Sequence, residues 1–354
     1  MKVSVIIPIY NAENYLEKSL NNYLQQTYKD IEFILVDDGS TDGSLGICEK
    51  VEKEYSNVVV VKKENGGVSS ARNMGLTVSN GTYVGFFDAD DYVDRSMIET
   101  LITLAEKNNL DIVGCGIAME LEDEEGNIVR QSEIKYDNHT VILPDREKIK
   151  DCMLSLWEKS VPYNIVNKLY RKQLLTFNSI EFPALNMGED LDFNMQAMLK
   201  CESMGIVPDC FYHYIRNRSG AATNKYVENW FSIRKEENGR IKDFFIELFN
   251  QTTLPWEIEE YVSRRFVNRA IGCLENEYRN KTSNHRKNVA IKDIVENSEL
   301  QKAIKSGKKY SLKIKLILIP IRLKSVFLTT VMAYLMNQVR DKFPRFFEYM
   351  KYRR

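Results

Sequence analysis

VSVIIPIYNAENYLEKSL at residues 3–20, followed by IEFILVDDGSTDGS at 31–44, decides the fold. From Val3 to Ile9 apolar, mostly β-branched residues occupy both parities of the chain, the pattern of a strand buried on both faces of a parallel sheet. Pro8 falls near its carboxyl end. Ala12, Tyr15, Leu16, Leu20, Tyr23 and Leu24 then recur at helical spacing, and IEFILV at 31–36 returns as a second buried strand. Together they make a βαβ unit. The alternation continues with a helix from about Ser44 to Tyr55, VVVV at 58–61, a helix from about Ser69 to Ser79 and YVGFF at 83–87. The predicted fold class is α/β with a mainly parallel sheet.

Beyond residue 110 the rhythm loosens. DIVGCGIAM at 111–119 is strand-like, and LEDEEGNIVRQ at 121–131 reads as an acidic hairpin turning at EEGN, an insertion in the sheet domain that ends near 225. Residues 226–305 show helical periodicity with one proline, Pro255, and are expected to form a helical appendage. Residues 306–354 read as a basic amphipathic tail.

With 44% apolar and 28% charged residues, the chain can bury a sizeable core and is not a disordered one. Its six cysteines lack CxxC spacing and read as reduced, packed thiols. The N-terminus runs into a strand without the pattern of a secretory signal, so a cytosolic location is expected. The net charge of −1 hides a split: residues 302–354 carry 14 Lys/Arg against two Asp/Glu, and the rest of the chain is acidic. Such a tail seeks an anionic partner. The uncharged runs 316–321 and 325–336 are separated by Arg322 and Lys324, which suits a segment lying on a membrane rather than crossing it; the alternative is a terminal helical pair packed on the sheet domain with a solvated basic face, and nucleic acid is not expected.

Several residue groups could carry chemistry. Asp37 and Asp38 end a buried strand, where open α/β sheets bind ligands, although taken alone a helix cap or Asx turn explains such residues more simply. Asp88 and Asp90, with Ala89 between them, end a second strand in DADD; two apart, they project to one side and can share a hard cation, Mg²⁺ or Mn²⁺. A surface turn is the plain alternative, weakened because two strands end alike. In NGGVSSARNMGL at 65–76, Asn65 and two glycines form a turn, Ser69 or Ser70 can cap a helix, and Arg72 lies on it. Asp190 in GED at 188–190 is either a first-turn carboxylate or a general base. Tyr212, His213, Tyr214, Arg216, Arg218 and Ser219, in and just after FYHYI, gather polar and cationic groups as in a diphosphate clamp, although His213 alone reads more simply as a structural histidine.

In this order, VSVIIPIYNAENYLEKSL, FILVDDGSTDGS, ENGGVSSARNMGL, YVGFFDADDYV, NKLYRKQLL and GEDLDF resemble the family 2 glycosyltransferases of the GT-A fold, over about residues 3–220. The specificity lies in the ordered set. The resemblance implies that Pro8 and Tyr10 line a base and ribose pocket, that Asp38 accepts from the base imide, making uracil the expected base, and that Asn65 and Arg72 lie close by. It implies that Asp88 and Asp90 are the DxD motif, reaching ribose and metal, and that Asp190 is the general base. Arg216 and Ser219 would then lie near the diphosphate and His213 would be a further metal ligand. The activity so implied is an inverting, metal-dependent transfer from a UDP-sugar to a glycan or lipid-linked saccharide in cell-surface polysaccharide synthesis, at the inner face of the cell membrane. A sugar nucleotidylyltransferase would need an N-terminal Gly-rich triphosphate loop, which PIYNAENYL does not offer. A catalytically silent sugar-nucleotide-binding partner would be favoured by a broken DxD or ED, and both acidic pairs are intact.

Overall fold

The structure, a computed structural model, describes residues 1–122, 128–185, 187–216, 226–279 and 283–342. Its organising strand is β1 (Val3–Ile9), with β2 (Ile31–Asp37) beside it; every residue of β2 and all but Pro8 of β1 are buried. Polar atoms on such strands must find partners. Ser4 on β1 donates to Glu32 and accepts from the Gly81 N–H, so the one hydroxyl in that strand is satisfied. Helix α1 (Glu13–Tyr23) connects the two strands, then α2 (Ser44–Glu54), β3 (Val58–Lys62), α3 (Val68–Val78) and β4 (Tyr83–Phe86) continue as expected. β1 pairs in parallel with β2 and β4, and β2 with β3, which sets the carboxyl ends of four strands along one edge.

The remaining elements are β5 (Tyr92–Val93), α4 (Met97–Asn108), β6 (Ile112–Gly114), β7 (Ile117–Glu122), β8 (Ile128–Ile134), β9 (Val141–Leu143), α5 (Arg146–Glu158), β10 (Lys168–Arg171), α6 (Lys172–Phe177), α7 (Glu189–Lys200), β11 (Met204–Ile206) and β12 (Tyr212–Arg216). They complete an eight-stranded sheet of order β3-β2-β1-β4-β10-β6-β11-β9 and a four-stranded sheet of order β5-β12-β7-β8. The single strand expected over 111–119 is therefore two. The Cys115 and Gly116 N–H groups leave the ladder for the carbonyls of Asn167 and Asp209, and β7 passes into the smaller sheet. β7 and β8 are the expected antiparallel hairpin, with an irregularity at Leu121/Glu122; its turn at EEGN lies outside the described residues.

By its contacts the chain divides into two units, Met1–Ser219 and Gly220–Arg354. The second holds α8 (Trp230–Phe249), α9 (Trp256–Arg279), α10 (Asn284–Glu296), α11 (Ser298–Ser306), α12 (Leu312–Arg322) and α13 (Val326–Lys342). No boundary falls at residue 305. Tyr310, Ile314, Ile317, Leu318 and Ile321 share one core with Phe266, Ile271, Ile294 and Leu300, so the described part of the basic tail is a packed portion of this helical unit. All six cysteines are free, and burial pushes the thiols of Cys48, Cys115, Cys201 and Cys273 up to about 12.

Candidate active site

At the carboxyl end of β2 the Asp38 carboxylate, 2% exposed, accepts from the N–H groups of Gly66 at 3.0 Å and Gly67 at 2.7 Å and pairs with Lys63. An ionised carboxylate offers about four acceptor positions, so about one remains, on Oδ2, for a ligand N–H. Asp38 thus fixes the glycine turn while its own N–H donates to the carbonyl of Ile9, the last residue of β1, at 2.8 Å; Pro8 precedes it. Tyr10, just beyond, is 53% exposed. Asn65 is exposed on the turn itself.

The DADD turn is held from beneath by two tyrosines. Tyr23 of α1 donates to the Asp88 carbonyl at 2.7 Å. Tyr212 of β12 accepts from the Asp88 N–H at 3.2 Å and donates to Asp91 at 2.8 Å, while the Ile215 N–H donates to the other Asp91 oxygen at 3.0 Å. Asp91 is 1% exposed, and burial, with Asp88 and Asp90 nearby, raises its carboxyl well above the usual range. Its work is to brace the turn that presents Asp88, Ala89 and Asp90, each half-buried.

Helices α3 and α7 deliver the rest. Each starts from a glycine at positive φ, Gly67 at 84° and Gly188 at 88°, where a side chain would be strained. The helix cap of α3 is thus Gly67, and not Ser69 or Ser70 as the sequence led us to expect. α3 packs very close to β1: a Cβ on Gly75 would lie 2.4 Å from the Ile6 side chain. One turn earlier, on the same buried face, Arg72 is drawn under the cleft with 4% exposure. Its guanidinium donates to Asp88 at 2.9 Å and to Asp190 at 2.8 Å, with Glu189 at 3.6 Å. Arg72 thus spans the DADD turn and α7. A ring floor supports it: Arg72 lies 5.3 Å from the centroid of Phe182, which stacks on Phe193 of α7 at 4.1 Å. Asn73 locks the approach to α7 by exchanging two hydrogen bonds of 2.8 Å with the Phe182 backbone.

Burial pushes the Asp190 carboxyl up to about 7, against the pull of Arg72. Behind it Lys168 of NKLY is fully buried and donates to Asn167 at 3.0 Å; burial brings its ammonium down to about 7, with Cys115 and Asp190 nearby acting the other way. A carboxylate poised near neutrality beside a fixed cation can exchange a proton with a bound hydroxyl.

Not every expected residue joins this group. His213 follows Tyr212 on β12 and so points to the opposite face of the sheet, where its ring nitrogens meet Glu120 at 2.7 Å and Asp94 at 3.4 Å. The structure does not bring it to Asp88 and Asp90 as a third metal ligand. Arg216 closes β12 opposite Leu121, and Ser219 lies outside the described residues. Among the described residues no three His, Cys, Asp or Glu side chains form a metal cage. Two carboxylates at a strand end do fit a hydrated Mg²⁺ or Mn²⁺ whose other ligands are waters and substrate phosphates. Sequence reasoning missed Tyr23, Lys63 and Lys168, named Tyr212 for a diphosphate clamp and not as the brace of the DADD turn, and passed over Asp91 although DADD displays it.

Residues 4–179 match the family model described as glycosyl transferase family 2. EpsH of Bacillus subtilis (strain 168) is 31% identical over 259 residues, covering 70% of this chain and 72% of that protein. A poly(ribitol-phosphate) beta-glucosyltransferase of Bacillus spizizenii is 32% identical over 250 residues, 68% of this chain but 37% of its own length. The chain spans 61%, 32% and 59% of the length of three further curated relatives. Among solved structures, S. aureus TarS 1–349 in complex with UDP-GlcNAc shares the fold, with a TM-score of 0.66, 23% identity and coverage of 96% of this chain and 92% of that one. The βαβ edge, the braced DADD turn and the GED helix thus lie on a GT-A framework, and the chain belongs to glycosyl transferase family 2.

Proposed function

We propose that this protein is an inverting glycosyltransferase that moves a sugar from a UDP-sugar to a hydroxyl of a glycan or lipid-linked saccharide in cell-surface polysaccharide synthesis. The observation that carries the reading is Arg72, one guanidinium joining Asp88 of the DADD turn to Asp190 of a helix 118 residues away. Donor-binding and proton-accepting carboxylates are thereby set in one cleft. The binding of UDP-GlcNAc by TarS supports a nucleotide-sugar donor, and the beta-glucosyltransferase relative supports transfer that builds a cell-wall polymer.

In this reading Asp38 and the Asn65 turn face the base, with Pro8 and Tyr10 beside them and Arg216 and Ser219 toward the diphosphate. Asp88 and Asp90 hold Mn²⁺ or Mg²⁺, which supplies neutralisation of the leaving diphosphate. Asp190 takes the proton of the acceptor hydroxyl as its oxygen bonds to the anomeric carbon and the bond to the diphosphate oxygen breaks, the electron pair leaving with UDP. Attack opposite the leaving group turns an α-linked donor into a β-linked product. In this reading the protein works at the inner face of the cell membrane, where such a polymer would be built. NMR of a product made from an α-linked donor tests the mechanism: a β-linkage is expected, and retained α configuration would exclude single displacement.

A further inference from the structure

Helix α12 is apolar on two sides. Ile314, Ile317, Leu318 and Ile321 enter the helical core. On the other side Leu312, Leu316, Ile319 and Leu323, spaced four, three and four apart, form an unbroken stripe that is 75%, 59%, 50% and 66% exposed. A helix on an ordinary wet surface carries polar residues there. α13 repeats the arrangement: Thr329 and Ala333 are fully buried, while Phe327, Val331 and Leu335 are exposed. Phe327, Val331 and Tyr334 also border an apolar groove of about 620 Å³ against Tyr278 and Ile291. Single exposed leucines mean nothing, but stripes of this kind on two consecutive helices mark surfaces that bind something.

Charge says what. Residues 306–342 carry eight Lys/Arg and one Asp, with Lys315, Arg322 and Lys324 exposed beside the α12 stripe. A second copy seated symmetrically on this face would oppose cation to cation. An anionic bilayer offers both the apolar depth and the countercharge. Among the described residues no helix is long and apolar enough to cross a membrane, and the chain breaks after α12 at Lys324, φ 52°.

We propose that the outer faces of α12 and α13 seat the protein in the headgroup region of an anionic bilayer; this rests on the reading of the chain as a peripheral enzyme at the membrane. Packing on the helical unit and contact with lipid are then two sides of the same helices.

The full chain is floated with phosphatidylcholine vesicles, with and without phosphatidylglycerol, at low and high salt. Wild type should float with the anionic vesicles. Leu316→Gln/Leu323→Gln/Phe327→Gln should lower the bound fraction about tenfold or more at either salt. Lys315→Gln/Arg322→Gln/Lys324→Gln should lower it chiefly at low salt. Both variants should keep wild-type UDP-sugar hydrolysis. A Phe327→Trp protein, which removes no apolar surface, should gain fluorescence quenching by brominated lipid relative to wild type. Undiminished flotation of the apolar variant, or no added quenching in the Phe327→Trp protein, overturns the assignment of this face while the peripheral reading stands. No flotation of wild type overturns both. A wild-type dimer that the apolar variant converts to monomer, without lipid binding, gives the face to a second copy and overturns the proposal.

Discussion

At the residue scale the site turns on Arg72, a cation shared by two carboxylates that chemistry requires to act differently. Burial of Asp190 favours its protonated form, and Arg72 limits that shift so that the carboxyl stays near 7. A base is competent when deprotonated, so the transfer rate should climb with pH through about 7 and then level. Asp190→Asn should keep UDP binding but lower kcat by about 10² or more and remove that limb; near-normal turnover would discard Asp190 as the base. Arg72→Lys is a sharper probe, because an ammonium cannot fork between Asp88 and Asp190 as a guanidinium does. The pH limb should move upward in that variant, since the carboxylate loses part of its countercharge; an unmoved limb in the pH–rate profile would detach Arg72 from the base. For the Asp88/Asp90 pair, EDTA should abolish transfer and Mn²⁺ should restore it, whereas Asp90→Ala should weaken UDP-sugar binding in calorimetry only when Mn²⁺ is present.

At the element scale, helix α3 reaches its place because Gly75 lets it lie against Ile6 of β1. Gly75→Ala sets two effects against each other. Helix propensity favours alanine by about 1 kcal/mol, while an added methyl in a closed core costs about 1–3 kcal/mol. Ile6 is fully buried and the new Cβ would stand 2.4 Å from it, so the clash decides. Urea unfolding should show a net loss of stability of up to about 2 kcal/mol, with activity lost further because Arg72 rides on the same face. The hairpin-bearing sheet acts on the site in a comparable way. Through Tyr212 and Asp91, β12 holds the DADD turn in register with β5, and the barely exposed Asp91 is a brace rather than a ligand.

At the scale of the molecule, the helical unit is completed by its last described helices. Ile314, Ile317, Leu318 and Ile321 are each at most 8% exposed, and each buried aliphatic side chain contributes about 1.5–3 kcal/mol. Removing four of them forfeits about 6–12 kcal/mol, comparable with the whole stability of a domain at about 5–15 kcal/mol. A chain ending near residue 305 should therefore lose helical circular dichroism and aggregate; a cooperative melt with unchanged helix content would show α12 to be dispensable. Point substitutions on the exposed stripe, unlike truncation, leave this core in place.

The sequence by itself determined the strands β1 and β2, the α/β alternation and the acidic groups at the strand ends, because a strand buried on both faces and a helix buried on one write their periods into consecutive residues. The ordered motifs likewise pointed to Asp38, Asp88, Asp90 and Asp190. Only the tertiary structure decided what those residues touch. Arg72 meets Asp190 across 118 positions, Tyr212 meets Asp91 across 121, and no local period records which distant element a buried polar group will find. The partners of His213, Glu120 and Asp94, were unreadable for the same reason, since its neighbour Tyr212 takes the other face of the strand. The tail shows the limit most clearly: α12 is apolar on two opposite sides, so its pattern could not say which of them packs, and the fit against the core residues of α9, α10 and α11 decided.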